Sequence, residues 1–121
     1  MLKNILFVGL GGALGSIVRY AFTLLTSRLH NFAAMTGTFI ANVLGCFVIG
    51  LIIASCERES LLLFASVGFC GGFTTFSTFS VQTLFALQSG KYGVAITYIA
   101  ITLLACLLIT WAGMYVGKKL L

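Results

Sequence analysis

The chain has 121 residues, of which 60% are hydrophobic and only 7% charged, and its mean hydropathy is +1.16. Soluble globular domains carry about 25% charged residues, so this composition excludes a soluble domain and predicts a single membrane domain over residues 1–121. The formal net charge is +5, but the seven Lys and Arg residues are scattered along the chain. Nucleic-acid binding needs a basic face and is therefore not expected.

Apolar segments separated by short polar stretches predict four membrane spans, at about residues 5–25, 33–55, 61–87 and 92–116. Each is longer than the ~20 residues that an α-helix needs to cross about 30 Å of hydrocarbon. The chain contains no proline, so a kink or break in a span must come from glycine. We therefore expect an all-α membrane protein.

The distribution of basic residues only weakly determines in which direction the predicted spans insert into the membrane. An even number of spans puts both termini on one side of the membrane, together with Arg58, and leaves Arg28 and Lys91 on the other. This is a weak positive-inside bias, so the chain inserts with its N-terminus inside, or inserts both ways and pairs as an antiparallel dimer. Four short helices enclose little volume, which favours a pore between two copies.

Small residues recur at four-residue spacing in three of the spans. They are Gly11 and Gly15, then Gly37, Ala41 and Gly45, then Gly113 and Gly117. Such ridges allow helix backbones to approach closely where the hydrophobic effect no longer drives association. Helix packing is the role that we expect for them.

The third predicted span carries two glycines and a dense run of hydroxyl residues near the bilayer midplane. Gly71 and Gly72 lower helix stability, and hydroxyls at positions 74, 75, 77 and 78 compete for backbone hydrogen bonds. One outcome is a break at this point, which would free carbonyl oxygens for a cation, as unwound transporter helices do for sodium. The other is a continuous helix whose hydroxyls bond to the i−4 carbonyls.

Other polar and aromatic positions at membrane depth leave two roles open. Phe76 and Phe79 share a helix face and form either core or the edge of an anion path. Asn42 is the only amide or charged side chain of the second span, and it either joins helices or replaces part of an ion's hydration shell. Arg19 either reaches the headgroups or sets a positive potential at a pore mouth.

The fourth span carries a stripe of hydroxyls and a thiol at four-residue spacing. Its members are Tyr98, Thr102, Cys106 and Thr110. A stripe that faces a partner helix and one that faces a wet path have the same sequence pattern.

Catalytic machinery is missing from the sequence. The only carboxylates, Glu57 and Glu59, fall in a short predicted loop, as does the single histidine, His30. No nucleophile–base pair or phosphate-binding loop is present, so an enzyme is not expected. The four cysteines show no C-x-x-C spacing, and we expect neither a disulfide nor a metal role for them.

Two other classes of membrane protein compete with a channel. A small four-helix exporter of cationic drugs or guanidinium-like compounds would need an intramembrane glutamate, which the first span lacks. A non-transporting assembly protein would leave the Gly-Thr-Ser run of the third span without a purpose.

Three motifs, taken in order, resemble those of the Fluc (CrcB-type) fluoride channels. They are Gly11-Gly-Ala-Leu-Gly-Ser-Ile-Val-Arg-Tyr20, Gly37-Thr-Phe-Ile-Ala-Asn-Val-Leu-Gly-Cys-Phe47 and Gly68-Phe-Cys-Gly-Gly-Phe-Thr-Thr-Phe-Ser-Thr-Phe79. The resemblance covers essentially the whole length, and the third motif is highly specific.

The resemblance implies an antiparallel, dual-topology homodimer with two fluoride pathways and a structural sodium ion at its centre. The carbonyls of Gly71 and Thr74 would hold the sodium. The remaining implied positions form the ion pathway: the aromatic box of Phe76 and Phe79, the polar partner Asn42, the hydroxyls of Ser77 and Thr78, the vestibule residue Arg19, and the polar track of Tyr98 and Thr102. Cys106 stands where a serine would be more typical.

The function implied is passive exit of fluoride from the cytoplasm through the bacterial inner membrane, which relieves fluoride toxicity. Fluoride is small and strongly hydrated, so its permeation requires several weak donors in place of water. Amide, hydroxyl and ring-edge groups meet that need without holding the ion tightly.

Overall fold

The computed structural model describes residues 1–28 and 33–120, and the predicted loop position of His30 lies outside them. Four helical segments in this part of the chain are long and apolar enough to cross a membrane. They are Leu2–Thr26, Ala34–Ser55, Glu59–Gln88 and Tyr92–Lys119. The prediction of an all-α protein with four membrane-spanning helices is confirmed.

Three of the spans are continuous helices. They are α1 (Leu2–Thr26), α2 (Ala33–Ser55) and α6 (Tyr92–Lys119). Their bounds follow the predicted ones closely, and the largest differences are extensions of α1 back to Leu2 and of α6 forward to Lys119. Both extensions carry lysines, whose long stems let a helix continue into the headgroup region while the charge stays in water.

The third span is divided into several segments. In chain order they are α3 (Glu59–Leu62), a π-helix (Leu63–Cys70), α4 (Gly71–Phe73), an extended step at Thr74 and Thr75, and α5 (Phe76–Gln88). The break in this span is therefore present, whereas the π-helix was not predicted. Glu59 is the first residue of α3 and not a loop residue, and its carboxylate accepts a hydrogen bond of 2.9 Å from Asn4 Nδ2.

The break lies at Thr74 and Thr75, in the hydroxyl part of the predicted run and just after the glycine pair. Thr74 has φ −79° and ψ 157°, and Thr75 has φ −150° and ψ 111°, while Gly71 and Gly72 stay helical. Gly72 serves a different purpose, because a methyl group there would lie 3.1 Å from the backbone nitrogen of Ser16 in α1. Close packing against α1 thus takes precedence over unwinding.

The first span and the first half of the third span form one packed pair. A side chain at Gly11 would overlap the carbonyl oxygen of Phe64, and one at Gly68 would lie 2.9 Å from Cα of Gly11. The backbones therefore touch directly, as expected for small-residue contacts between membrane helices.

The second and fourth spans form the other packed pair. A methyl group at Gly50 would overlap the carbonyl oxygen of Thr110, and one at Gly113 would overlap that of Phe47. Phe47 contacts Gly113, and Leu51, one turn later in α2, contacts Gly117, one turn later in α6. Residue numbers therefore rise together along the two helices, so α2 and α6 run parallel. The α5 helix packs on α6 after a turn in which Gly90 has φ +73°.

We expect Gly113→Ala to destabilise the protein, because the added methyl group forces α2 and α6 apart. Overpacking of this kind costs about 1–3 kcal/mol. The measurement is the thermal midpoint of the purified protein in detergent. Gly93→Ala is the matched control on the same helix, because a methyl group there meets open space. Equal midpoints for the two variants would contradict the assigned contact.

Candidate functional site

The extended step of the third span is paired with one side chain of the second span. Asn42 Nδ2 donates to the carbonyl oxygen of Thr75 over 3.2 Å, and the Thr75 N–H donates to Asn42 Oδ1 over 2.7 Å. The Asn42 side chain is buried. One carboxamide thus satisfies both backbone polar groups of an unwound residue, as a neighbouring strand would do.

Thr75 also starts the second half of the span. Its Oγ1 accepts a hydrogen bond of 3.2 Å from the Thr78 N–H, which caps α5. The same Oγ1 donates to Thr78 Oγ1 over 3.0 Å and lies 3.2 Å from Ser77 Oγ. The hydroxyls of Ser77 and Thr78, predicted as pathway residues, therefore gather around the N-terminus of α5.

The two carbonyls predicted to hold a cation have lost their helical donors. In an α-helix the carbonyl of Gly71 would accept from the Thr75 N–H, which here donates to Asn42. The carbonyl of Thr74 would accept from the Thr78 N–H, which here donates to Thr75 Oγ1. Both residues line one cavity, and carbonyl oxygens are among the ligands that a hard cation takes.

Arg19 is directed toward the break. Its Nε donates to the carbonyl oxygen of Gly72 over 3.0 Å, and the residue is half-buried. The guanidinium thus replaces the donor that Phe76 would supply in an unbroken helix. This hydrogen bond holds Arg19 against the third span, and its role at a pore mouth stays a prediction.

A cavity of about 340 Å³ lies beside the break. It brings together six of the predicted site residues, namely Asn42, Gly71, Thr74, Phe76, Phe79 and Thr102. Ser77, Thr78, Tyr98 and Arg19 do not line it. The second, third and fourth spans all contribute, so the cavity lies where the two packed pairs of helices meet.

The two phenylalanines at the cavity differ in environment. Phe76 is 74% exposed, whereas Phe79 is only 6% exposed. Their ring centroids are 5.6 Å apart, and the Phe79 ring lies 5.0 Å from that of Tyr98. Tyr98 in turn donates its hydroxyl to Gln82 Oε1 over 2.9 Å. Phe79 is thus fixed by its neighbours, while Phe76 projects from the surface of the single chain.

The polar stripe of the fourth span is divided by its contacts. Thr110 donates back to the carbonyl of Cys106 over 2.8 Å and is used within its own helix. Thr102 is 5% exposed, and its Oγ1 has no hydrogen-bond partner although the residue lines the cavity. An orphaned buried hydroxyl is costly, so this atom is available to a ligand in the cavity.

Sequence reasoning missed two residues of this arrangement. Thr75 was one hydroxyl in a run, although it is the residue that pairs with Asn42. Gln82 has no predicted role in the sequence analysis. It is nevertheless an amide well inside an apolar span, and a polar side chain at that depth indicates a functional or packing role.

The site contains neutral donors and carbonyl dipoles and offers no acid–base chemistry. Its donors are an amide, hydroxyls and thiols, and Arg19 is the charged group hydrogen-bonded to the break. Within residues 1–28 and 33–120, no group of three or more His, Cys, Asp or Glu could hold a metal ion. The arrangement can bind small ions through many weak contacts.

Residues 6–114 match the family described as CrcB-like protein, Camphor Resistance (CrcB). The chain belongs to this family. A CrcB-like relative from Flavobacterium psychrophilum is 36% identical over 124 residues, which cover 98% of this chain and 100% of the relative. One from Campylobacter jejuni is 41% identical over 122 residues, which cover 98% of this chain and 100% of that relative. Both relatives are named fluoride-specific ion channel FluC.

Membership of the CrcB-like family confirms the resemblance found in the sequence. A further relative, from Azobacteroides pseudotrichonymphae, is 39% identical over 110 residues, covers 87% of this chain and carries the same name. These relatives are named as ion channels and not as enzymes, which agrees with the expectation drawn from the missing catalytic groups. The chain is an integral, multi-pass membrane protein.

We expect Asn42→Leu to loosen the break, because both backbone groups of Thr75 lose their partner. Each unsatisfied buried group costs about 1–3 kcal/mol. Hydrogen–deuterium exchange of a peptide covering residues 74–80 should become about tenfold faster or more.

Ser55→Ala is the control on the same helix, because the Ser55 hydroxyl donates to the carbonyl oxygen of Leu51 in its own helix. Unchanged exchange in Asn42→Leu would show that the carboxamide does not hold the unwound step.

Proposed function

We propose that this protein is a fluoride channel that lets fluoride leave the cytoplasm passively and so protects the cell from fluoride. The observation that carries the proposal is the unwound step at Thr74 and Thr75, which opens beside a cavity lined by neutral donors. The CrcB-like relatives named as fluoride-specific channels support the choice of ion.

The cavity suits a small anion that must exchange water for protein without being trapped. Asn42, the free hydroxyl of Thr102 and the ring edges of Phe76 and Phe79 each offer a weak positive contact. Conduction needs binding that is strong enough for entry and weak enough for exit. In the cytoplasmic membrane, a negative interior favours anion exit by about 2.3 kcal/mol per 100 mV.

A sodium ion held by the carbonyls of Gly71 and Thr74 completes the proposed architecture. Diversion of the Thr75 and Thr78 amides to side chains supports this site, because both carbonyls are left without their helical donors. One chain supplies too few oxygens to surround a cation, and a second copy would double the set. The sodium would be structural and would not be transported.

The second copy is proposed to be antiparallel, giving a dual-topology homodimer in the bacterial inner membrane. The weak charge bias of the sequence supports insertion in both orientations. The large exposure of Phe76 in the single chain also supports a partner, because an aromatic ring beside an ion path would otherwise face lipid. Ser77, Thr78, Tyr98 and Arg19 would then act from the ends of the path.

The alternative of a cationic drug or guanidinium exporter is not favoured. Such an exporter needs a carboxylate inside the membrane. The only two carboxylates of the sequence are Glu57, before the third span, and Glu59, at its first residue.

Fluoride efflux from liposomes tests the proposed function directly. Vesicles loaded with fluoride and containing the purified protein should release it once a potassium ionophore dissipates the charge that builds up. A fluoride electrode records the rate. Release no faster than from protein-free vesicles would refute the channel.

We expect Phe76→Ile to reduce fluoride efflux strongly while leaving the thermal midpoint of the protein unchanged. The ring is 74% exposed in the single chain, so its loss removes the ring-edge contact without opening a cavity in the core. Phe85→Ile on the same helix is the matched control, since Phe85 is also exposed and does not line the cavity. A fall in the midpoint with unchanged efflux would assign Phe76 a packing role instead.

We expect replacement of sodium by N-methylglucamine during purification and reconstitution to lower fluoride efflux. Without the cation, the carbonyls of Gly71 and Thr74 would repel each other across the proposed pair of chains. Readdition of sodium should restore the rate, and choline serves as a second organic control. Efflux that is independent of sodium would exclude the proposed cation site.

A further inference from the structure

Three of the four cysteines line the cavity beside the break. Cys46 comes from α2, Cys70 from the π-helix and Cys106 from α6, and all three are free thiols. Cys56 does not line the cavity, and its Sγ lies 3.7 Å from the carbonyl oxygen of Arg58. The cavity thiols are therefore separate in space from the remaining cysteine.

Cys46 and Cys106 face each other across the second and fourth spans. The two helices run parallel and touch where Gly50 meets Thr110. One helical turn earlier on each helix stand Cys46 and Cys106, so the same register places them opposite each other. Both residues line the cavity and both are half-buried, so their side chains can be reached from it.

Cys70 is placed differently. It is 1% exposed, so its sulfur is enclosed by the π-helix and its neighbours. A ligand that enters the cavity therefore meets the two thiols of Cys46 and Cys106 before it meets the third.

We propose that Cys46 and Cys106 form a two-coordinate site for a soft, thiophilic metal ion of the class Cu⁺, Ag⁺ and Hg²⁺. Thiolate sulfur is the ligand that soft metal ions prefer. Two facing thiols supply the linear pair of ligands that such ions accept. Zinc would need four ligands, and among the described residues no three or more His, Cys, Asp or Glu side chains are placed to hold one metal ion.

The binding step balances and suits a cavity at membrane depth. With Hg²⁺, two S–H bonds break, two Hg–S bonds form, and two protons pass to the buffer without any change of oxidation state. The Hg²⁺ product is electrically neutral. With Cu⁺ or Ag⁺ one thiol loses its proton and the other stays protonated, so that product is neutral too and no charge has to be held in hydrocarbon. The unpartnered hydroxyl of Thr102, on the same helix face one turn before Cys106, borders the same space.

A metal ion between these thiols would occupy the proposed path of fluoride. Cys106 is one turn from Thr102, and Cys46 is one turn from Asn42 on the adjoining helix. Block of fluoride efflux by soft metals therefore rests on the proposed function, whereas metal binding itself does not.

The binding experiment uses the full-length protein with Cys56→Ser, which removes the thiol outside the cavity. Mercuric chloride is added, free metal is removed by desalting, and bound mercury is measured against glutathione as a competing monothiol. We expect one Hg²⁺ per chain, retained at about 100-fold more glutathione than in protein that also carries Cys46→Ser or Cys106→Ser, because two ligands on one scaffold act together. Cys70→Ser in the same background should retain mercury as the Cys56→Ser protein does.

Two other results would overturn the assignment of the site to Cys46 and Cys106. Retention in the Cys46→Ser or Cys106→Ser protein equal to that in the Cys56→Ser protein would show that the two thiols do not act together. Loss of retention in Cys70→Ser, with Cys106→Ser unaffected, would replace the proposed pair by Cys46 and Cys70. All variants are first compared by size-exclusion elution, so that loss of fold is separated from loss of metal.

The efflux experiment separates this site from the proposed function. In liposomes, Hg²⁺ should reduce fluoride efflux of the Cys56→Ser protein to the rate of protein-free vesicles, and excess dithiothreitol should restore it. Cys106→Ser, compared with its own metal-free rate, should not respond. If no fluoride moves at all, the proposed function fails while mercury binding still decides the site. If mercury binds the pair but efflux persists, the site lies off the path.

Discussion

A backbone that unwinds inside hydrocarbon must find hydrogen-bond partners within the protein, because no water is available to provide them. At Thr75 this requirement is met by a single carboxamide, that of Asn42, which pairs with both the N–H and the C=O of that residue. The division of the third span, the cavity beside it and the diverted amides all depend on this pair. Arg19 supports it from the other side by pairing with the carbonyl of Gly72.

Two rigid pairs of helices meet at the break. One pair contains the first span and residues 59–73, and the other contains α2 and α6, each joined by direct backbone contact at glycines. The α5 helix leaves the first pair at Thr74 and packs on the second, so it links them. A cavity lined by the second, third and fourth spans follows from that change of partner. Its hydrogen-bond donors are neutral because they are an amide, hydroxyls and thiols, and its backbone carbonyls act as acceptors.

Much of this arrangement could be predicted from the sequence, and the limits have physical causes. Apolar length alone gave the four spans, and the rarity of polar groups at membrane depth identified Asn42 and the hydroxyl run. The position of the break could not be predicted, because Gly72 is permissive both for unwinding and for close packing, and only the presence of α1 decides between them. The partner of Asn42 was equally hidden, since any of several hydroxyl residues has the same backbone to offer. Tyr98 was predicted as a pathway residue, but in the single chain its hydroxyl bonds to Gln82 outside the cavity.

The π-helix at Leu63–Cys70 has a consequence for the evolution of the sequence. A π-helical stretch holds more residues per turn than an α-helix, and it can return to the tighter form by losing one residue. A single deletion there could thus be absorbed locally, without rotating the segment that follows. An insertion or deletion elsewhere in the membrane-embedded helices could not be absorbed in this way, because it would rotate all later residues of that helix about its axis and separate them from their packing partners.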